Sequence, residues 1–193
     1  VAKRTTAVAS STWSNTTVAS TNSVGWYPSV NAVDVDTIYI SHLDNLNGDL
    51  VFTYSINGGV NWNNTIVDSV GFVGGYSSII AIDANTIYIS YLDYDNMDLK
   101  FASSSDGGSS WSNTVVDAVG MVGWGTSIDA IDANTIYISY FDDTNADLKF
   151  AFSTDGGTTW GNTTVDSAGN VGWISSIDAV DTNTIYISYF DET

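Results

Sequence analysis

The chain repeats itself every 49 residues. The segment Thr-Ile-Tyr-Ile-Ser places its tyrosine at Tyr39, Tyr88, Tyr137 and Tyr186, and a tryptophan recurs at Trp13, Trp62, Trp111 and Trp160. The pairs Val24-Gly25, Val73-Gly74, Val122-Gly123 and Val171-Gly172 hold the same phase without insertion. A fixed period of this length means that one supersecondary unit is stacked on copies of itself, because a single unit cannot bury its own apolar face. The 193 residues fall three short of four such units.

Inside a unit the period is two, not 3.6, and this predicts an all-β chain. Ser127 to Asp132 reads as a first short strand. Thr135 to Phe141 reads as a second, apolar on both faces and therefore covered on both sides. Asp147 to Ser153 is a third, with Leu148, Phe150 and Phe152 on one face, and Trp160 to Asp166 is a polar fourth. Apolar content falls from the second strand to the fourth. That gradient suits four-stranded sheets stacked around an axis with the last strand at the rim, a β-propeller of four 49-residue blades. Complete blades are expected at 27–68, 76–117 and 125–166. The last blade takes its inner strands from 174–193 and its outer part from 1–17, so N- and C-terminal strands would close the ring. Lys3 stands where Phe52, Phe101 and Phe150 stand elsewhere, and Ala7 to Ser10 lack the Asp-Gly-Gly turn, so the N-terminus is expected to add one outer strand rather than a hairpin.

The turn between third and fourth strands reads Ser-Thr-Asp-Gly-Gly-Thr-Thr-Trp at Ser153 to Trp160 and Ser-Ser-Asp-Gly-Gly-Ser-Ser-Trp at Ser104 to Trp111. The copy at Ser55 to Trp62 has Asn57 for the Asp, and Thr6 to Trp13 keeps only Thr6, Thr12 and Trp13. Asp or Asn accepts turn N–H groups and Gly supplies a left-handed backbone. This resembles the Asp-box, or BNR, repeat of sialidase-like and sortilin-like β-propellers, and the whole unit is similar to those of secreted prokaryotic Asp-box repeat proteins. The resemblance implies that Asp106, Gly108, Trp111, Asp155, Gly157, Trp160, Asn57 and Trp62 are structural and lie away from the ligand face.

Charge narrows the partners. Four Lys and Arg against 22 acids give −18, and all but one of the acids are Asp. Nucleic acid and anionic membranes need the opposite sign. No cysteine and no apolar run near 18 residues occur, which argues against disulfide staples, thiolate metal sites and a retained membrane anchor. The chain opens on Val1 and not Met, which reads as the removal of an export signal or of another leading piece, and a secreted or cell-surface protein is expected. With 44% apolar and 13% aromatic residues the chain can bury a core despite its charge.

Catalytic sets are thin. The sialidases that share the turn motif use an arginine triad with a Tyr-Glu nucleophile pair, but this chain has only Arg4 and only Glu192. A glycoside hydrolase is therefore disfavoured, although paired Asp catalysis stays open. His42 stands alone, with no Cys and no Gly-x-Ser-x-Gly elbow, and reads as a surface or packing residue. One face should carry both the hairpins rich in Asp and Asn and the connections that bear Trp26, Tyr27, Tyr76, Trp124 and Trp173. Aromatic rings beside carboxylates and amides suit sugar rings, while packing over blade junctions is the competing reading. Gly75 replaces Trp in the second copy, leaving expected room for a ligand beside it. Asp93, Asp95 and Asp98 could hold Ca²⁺ through oxygen, a weak signal without a closing Glu; no other cofactor is expected. Sequons at Asn15, Asn63 and Asn162 sit beside outer strands. The expectation is a non-catalytic binding module for glycan or protein. The alternative is a structural subunit that self-associates through an open closing blade.

Overall fold

The computed structural model describes residues 2–4, 13–20 and 23–192, and among these there is no helix. β1 (Ala2–Arg4) pairs with β2 (Trp13–Asn15). Three four-stranded antiparallel meanders follow. The first is β3 (Val24–Ala32), β4 (Ile38–Asp44), β5 (Asp49–Ser55) and β6 (Asn63–Asp68). The second is β7 (Val73–Ala81), β8 (Ile87–Asp93), β9 (Asp98–Ser104) and β10 (Ser112–Asp117). The third is β11 (Val122–Ala130), β12 (Ile136–Asp142), β13 (Asp147–Ser153) and β14 (Gly161–Asp166). A last hairpin, β15 (Ser176–Asp181) with β16 (Thr184–Ser188), repeats the start of a blade. The isolated bridge Val171↔Asp191 matches Val122↔Asp142 one repeat earlier.

The terminal segments form separate two-stranded sheets, and among the described residues no ladder joins β16 to β1. The N-terminus contributes two paired strands rather than one, while the Ala7 to Ser10 turn lies outside the described residues. The first strand of each blade also starts earlier than Ser127, at Val122, because the ladder continues through two register shifts around Trp124. The glycine of each Val-Gly pair makes those shifts possible. Gly123 has φ +94°, and a Cβ there would lie 2.9 Å from the Leu99 Cα of the preceding blade.

Blades pack face to face through one recurring layer. Tyr39, Leu50, Phe52 and Val67 of the first blade meet Val73, Ile79, Ile87, Ile89 and Tyr91 of the second. Tyr88, Leu99, Phe101 and Val116 meet the equivalent residues of the third. Small polar groups tie the inner strands: Ile79 N donates to Ser29 Oγ, Ile128 N to Ser78 Oγ and Ile177 N to Ser127 Oγ at 3.2–3.3 Å.

The Asp-Gly-Gly turns clamp neighbouring blades at the rim. Asp106 accepts from Ser104 Oγ, Ser110 N and Ser110 Oγ, and Trp111 Nε1 donates to Gly108 O. The Trp111 ring lies 5.2 Å from Phe52 of the preceding blade, and Trp160 repeats this on Phe101 at 5.0 Å. Gly108, at φ +84°, touches Phe52 so closely that a Cβ would overlap the ring.

Each inner junction also buries an ion pair. Lys100 Nζ reaches Asp68 Oδ2, which also accepts from Tyr91 OH at 2.8 Å. One repeat on, Lys149 and Tyr140 meet Asp117 in the same way. Burial pushes both aspartates up, but the lysine, the tyrosine and a turn N–H outweigh it and hold them below the ordinary carboxylate value.

Candidate functional site: the aromatic face and its cleft

The register shifts at the start of each first strand re-aim the side chains that follow the Val-Gly pair. Tyr27 and Tyr76 are non-glycine residues with φ 50° and 51°, in the left-handed region that L residues rarely occupy. Gly125 takes the same position at φ 56°. Non-glycine residues held there cost backbone strain, and such strain clusters at functional sites.

The five aromatic residues singled out in the sequence lie in one continuous path. Trp26 meets Tyr27 edge-on at 6.2 Å, Tyr27 stacks on Tyr76 at 4.3 Å, Tyr76 meets Trp124 at 5.6 Å, and Trp124 stacks on Trp173 at 5.9 Å. Tyr94, which the sequence reading did not single out, leans on Trp124 at 5.9 Å. Burial, then a hydrogen bond with Tyr27, pushes the Tyr76 hydroxyl up to about 12, and the same causes raise Tyr94. These phenols stay protonated at neutral pH.

Gly75 does not leave room for a ligand. Its missing side chain is replaced by the Tyr94 ring, whose hydroxyl would lie 2.9 Å from a Cβ at that position. Trp124 is enclosed by Tyr76, Tyr94 and Trp173, and its Nε1 is buried without a partner among the described residues. It is the keystone of the path. Trp26 and Trp173, at 49% and 38% exposed, are the rings open to solvent.

At the Trp173 end the path opens into a cleft of about 400 Å³, lined by Phe141, Asp143, Ala146, Asn170, Trp173, Phe190 and Glu192. Hairpin residues and connection residues meet here, as the shared face required. Phe141 and Trp173 stand at 86° with centroids 5.4 Å apart, forming two walls of a corner. Asn170 Nδ2 donates to Glu192 Oε2 at 2.5 Å and Glu192 N donates to Asn170 O at 3.1 Å, which fixes the rim. Asn170, Asp143 and Glu192 were missed as a group in the sequence. The signal was there in the repeat: Asn170 stands in the phase of Phe72 and Met121, and Glu192 in that of Tyr94.

The calcium trio does not assemble. Asp93 is buried and accepts from Asp95 N, Asn96 N and Asn96 Nδ2, while Asp95 Oδ2 accepts from Phe72 N in the neighbouring connection. Burial, then the charges of Asp93 and Asp117, raises Asp98. Among the described residues no three His, Asp or Glu side chains converge as metal ligands. His42 is 4% exposed and its Nε2 lies 3.0 Å from Thr53 Oγ1, so it packs; burial lowers its pKa. No described helix is long and apolar enough to cross a membrane.

No family model matches the sequence, and no curated protein matches it. Solved structures do match the fold. The NanB sialidase from Streptococcus pneumoniae aligns over 83% of this chain and 26% of its own, with TM-score 0.61 and 14% identity. The leech intramolecular trans-sialidase, solved with 2,7-anhydro-Neu5Ac, aligns over 83% of this chain and 27% of its own at TM-score 0.59 and 18% identity. The Ruminococcus gnavus intramolecular trans-sialidase, solved with oseltamivir carboxylate, covers 73% and 33% at TM-score 0.54 and 17% identity. The chain thus spans about a quarter to a third of the length of these enzymes, and over that span it has the all-β, propeller-like blade architecture of the sialidase fold.

Proposed function

We propose that the chain is a non-catalytic, extracellular binding module built of Asp-box blades, which engages glycan on the aromatic face and needs no cofactor. The observation that carries this reading is the path of rings from Trp26 to Trp173 ending in a cleft with an amide and two carboxylates. Sugar recognition calls for such a set, because apolar C–H faces stack on rings while hydroxyls bond to polar groups at the edge. The sialidase-fold neighbours act on or hold sialic acid compounds, and they support a carbohydrate partner in general terms. The sequence supplies a single arginine and a single glutamate, too few for the sialidase residue set, which supports binding without turnover.

A broad glycan array followed by titration with wild-type and Trp173→Ala protein tests the reading. Trp173 is partly open, so its loss should weaken binding by at least about 1 kcal/mol, as for an aromatic anchor, while the melting temperature changes little. An array without hits would remove the glycan reading.

Self-association is the second reading, and one observation favours it. Tyr186 is 64% exposed, whereas Tyr39, Tyr88 and Tyr137 in the same phase are 2–6% exposed beneath the next blade. That face of the terminal hairpin is shaped to receive a blade, either the first blade of its own chain, closing a four-bladed ring, or that of a second copy. Sedimentation over a range of concentrations separates the two outcomes.

A further inference from the structure

The three junction mouths on the aromatic face can be compared position by position. At the first, the rim positions hold Asn45, Phe72 and Tyr94. Phe72 and Tyr94 meet edge-on at 5.5 Å, an apolar closure. At the second, the same positions hold Tyr94, Met121 and Asp143. At the third they hold Asp143, Asn170 and Glu192, and Ala146 replaces Met97 and Gly48 of the other two. Among the described residues only the third mouth has an acid on both sides, an amide between them and the cleft of about 400 Å³.

We propose that this cleft recognises an amino sugar through its free, charged amine. The inference rests on the glycan reading of the aromatic face and narrows it. An ammonium group is held by ring faces, Trp above all, and by carboxylates, and Trp173 and Phe141 present two rings at right angles beside Asp143 and Glu192. An acidic sugar is excluded by the same charges. Lys100 is engaged with Asp68 and Asp93, and Lys149 with Asp117 and Asp142, so neither can receive an anion at the cleft. The volume fits a sugar residue better than a bare ammonium ion. Asn170, held by its bonds to Glu192, offers an amide oxygen and a fixed edge for ring hydroxyls.

The test compares glucosamine tetrasaccharide with N-acetylglucosamine tetrasaccharide, at a pH where the free amine is charged. Binding is followed by tryptophan fluorescence, with tetramethylammonium chloride as a third ligand. The free-amine sugar should bind at least about tenfold more tightly than its acetylated form, which cannot carry the charge. Asp143→Asn with Glu192→Gln should abolish that preference without changing the melting temperature. The double variant removes two of the 18 net negative charges, so general attraction to an acidic protein would survive it and a local site would not. Equal binding of the two tetrasaccharides, or a preference that persists in the double variant, overturns amine recognition and leaves the glycan reading standing. Binding of tetramethylammonium with neither sugar overturns both.

Discussion

The inner junctions and the leading face of the first blade are the same surface by sequence phase, yet they are built differently. Between blades, an aspartate, a tyrosine and a lysine lock together: Asp68 with Tyr91 and Lys100, then Asp117 with Tyr140 and Lys149. On the first blade those phases hold Ala19, His42 and Val51. Pro28 stands there in the phase of Ser77 and Thr126, which bond to Ser41 and Ser90 across the inner junctions. The apolar centre is left open as well, with Val30 60% exposed where Ile79 and Ile128 are 5% and 6% exposed. A buried ion pair tolerates the loss of both partners far better than the loss of one, and the first blade lacks the aspartate and the lysine together. Thr16, Thr17, Val18 and Ala19 instead line a cavity of about 280 Å³ with Pro28, Ile40 and His42 on this face.

The largest effect should come from breaking one lock halfway. Lys149→Ala leaves Asp117, 4% exposed, without its cation and should cost about 3–5 kcal/mol in urea unfolding. Replacing the whole set by that of the first blade, Asp117→Ala with Tyr140→His and Lys149→Val, should cost less than the single change, within about 2 kcal/mol. A triple variant as unstable as Lys149→Ala would mean that packing volume, rather than the unpaired charge, governs the junction.

A smaller effect separates the turns of the same two regions. Gly108 and Gly59 share φ +84°, but only Gly108 lies against a ring of the preceding blade. Gly108→Ala should cost about 3 kcal/mol from backbone strain and forced repacking of Phe52. A Cβ at Gly59 would meet Trp62 at 3.4 Å, an ordinary contact, so Gly59→Ala should cost about 1 kcal/mol from strain alone. Equal thermal shifts in the two variants would remove the interblade contact from the account.

What was legible in the sequence is what every unit repeats. Tyr88 and Tyr137, the strand pairs and the Asp-Gly-Gly turns fall where the period places them, because each is fixed by its own unit and an identical neighbour. What was not legible depends on two unlike units meeting. Tyr94 fills the space beside Gly75, although Gly75 lies in β7 and Tyr94 in the turn after β8, and no period links them. The cleft arises where Asn170 and Glu192 break the pattern, and a break is invisible until the opposed wall, Phe141 and Asp143, is known. The Asp93, Asp95 and Asp98 cluster misled for a related reason: side chains adjacent in sequence were already committed to turn N–H groups and to the next connection.

The finest contrast between the regions lies in the Asp and Asn forms of one turn, and pH should expose it. Hydrogen bonds from Thr159 Oγ1 and N, then Ser153, hold Asp155 at about 2, and Ser110 and Ser104 do the same for Asp106. Both folded values lie below the ordinary aspartate value of 3.8, so the stabilising contribution is present above that pH and is lost as pH falls from 3.8 through about 2. Asn57 makes the corresponding bonds, from Ser55 Oγ and Asn61 N, but has no proton to gain in this range. Amide protection at Gly157 and Thr159 should therefore fall on acidification while that at Gly59 and Asn61 holds, once the common loss from Asp68 and Asp117 is subtracted by comparing residues within one sample. Asp155→Asn should carry the third turn over to the pH-insensitive behaviour of the first. If protection at all the turns declined in parallel and Asp155→Asn left that decline unchanged, the acid response would belong to the buried locks, and the turn carboxylates would have no part in it.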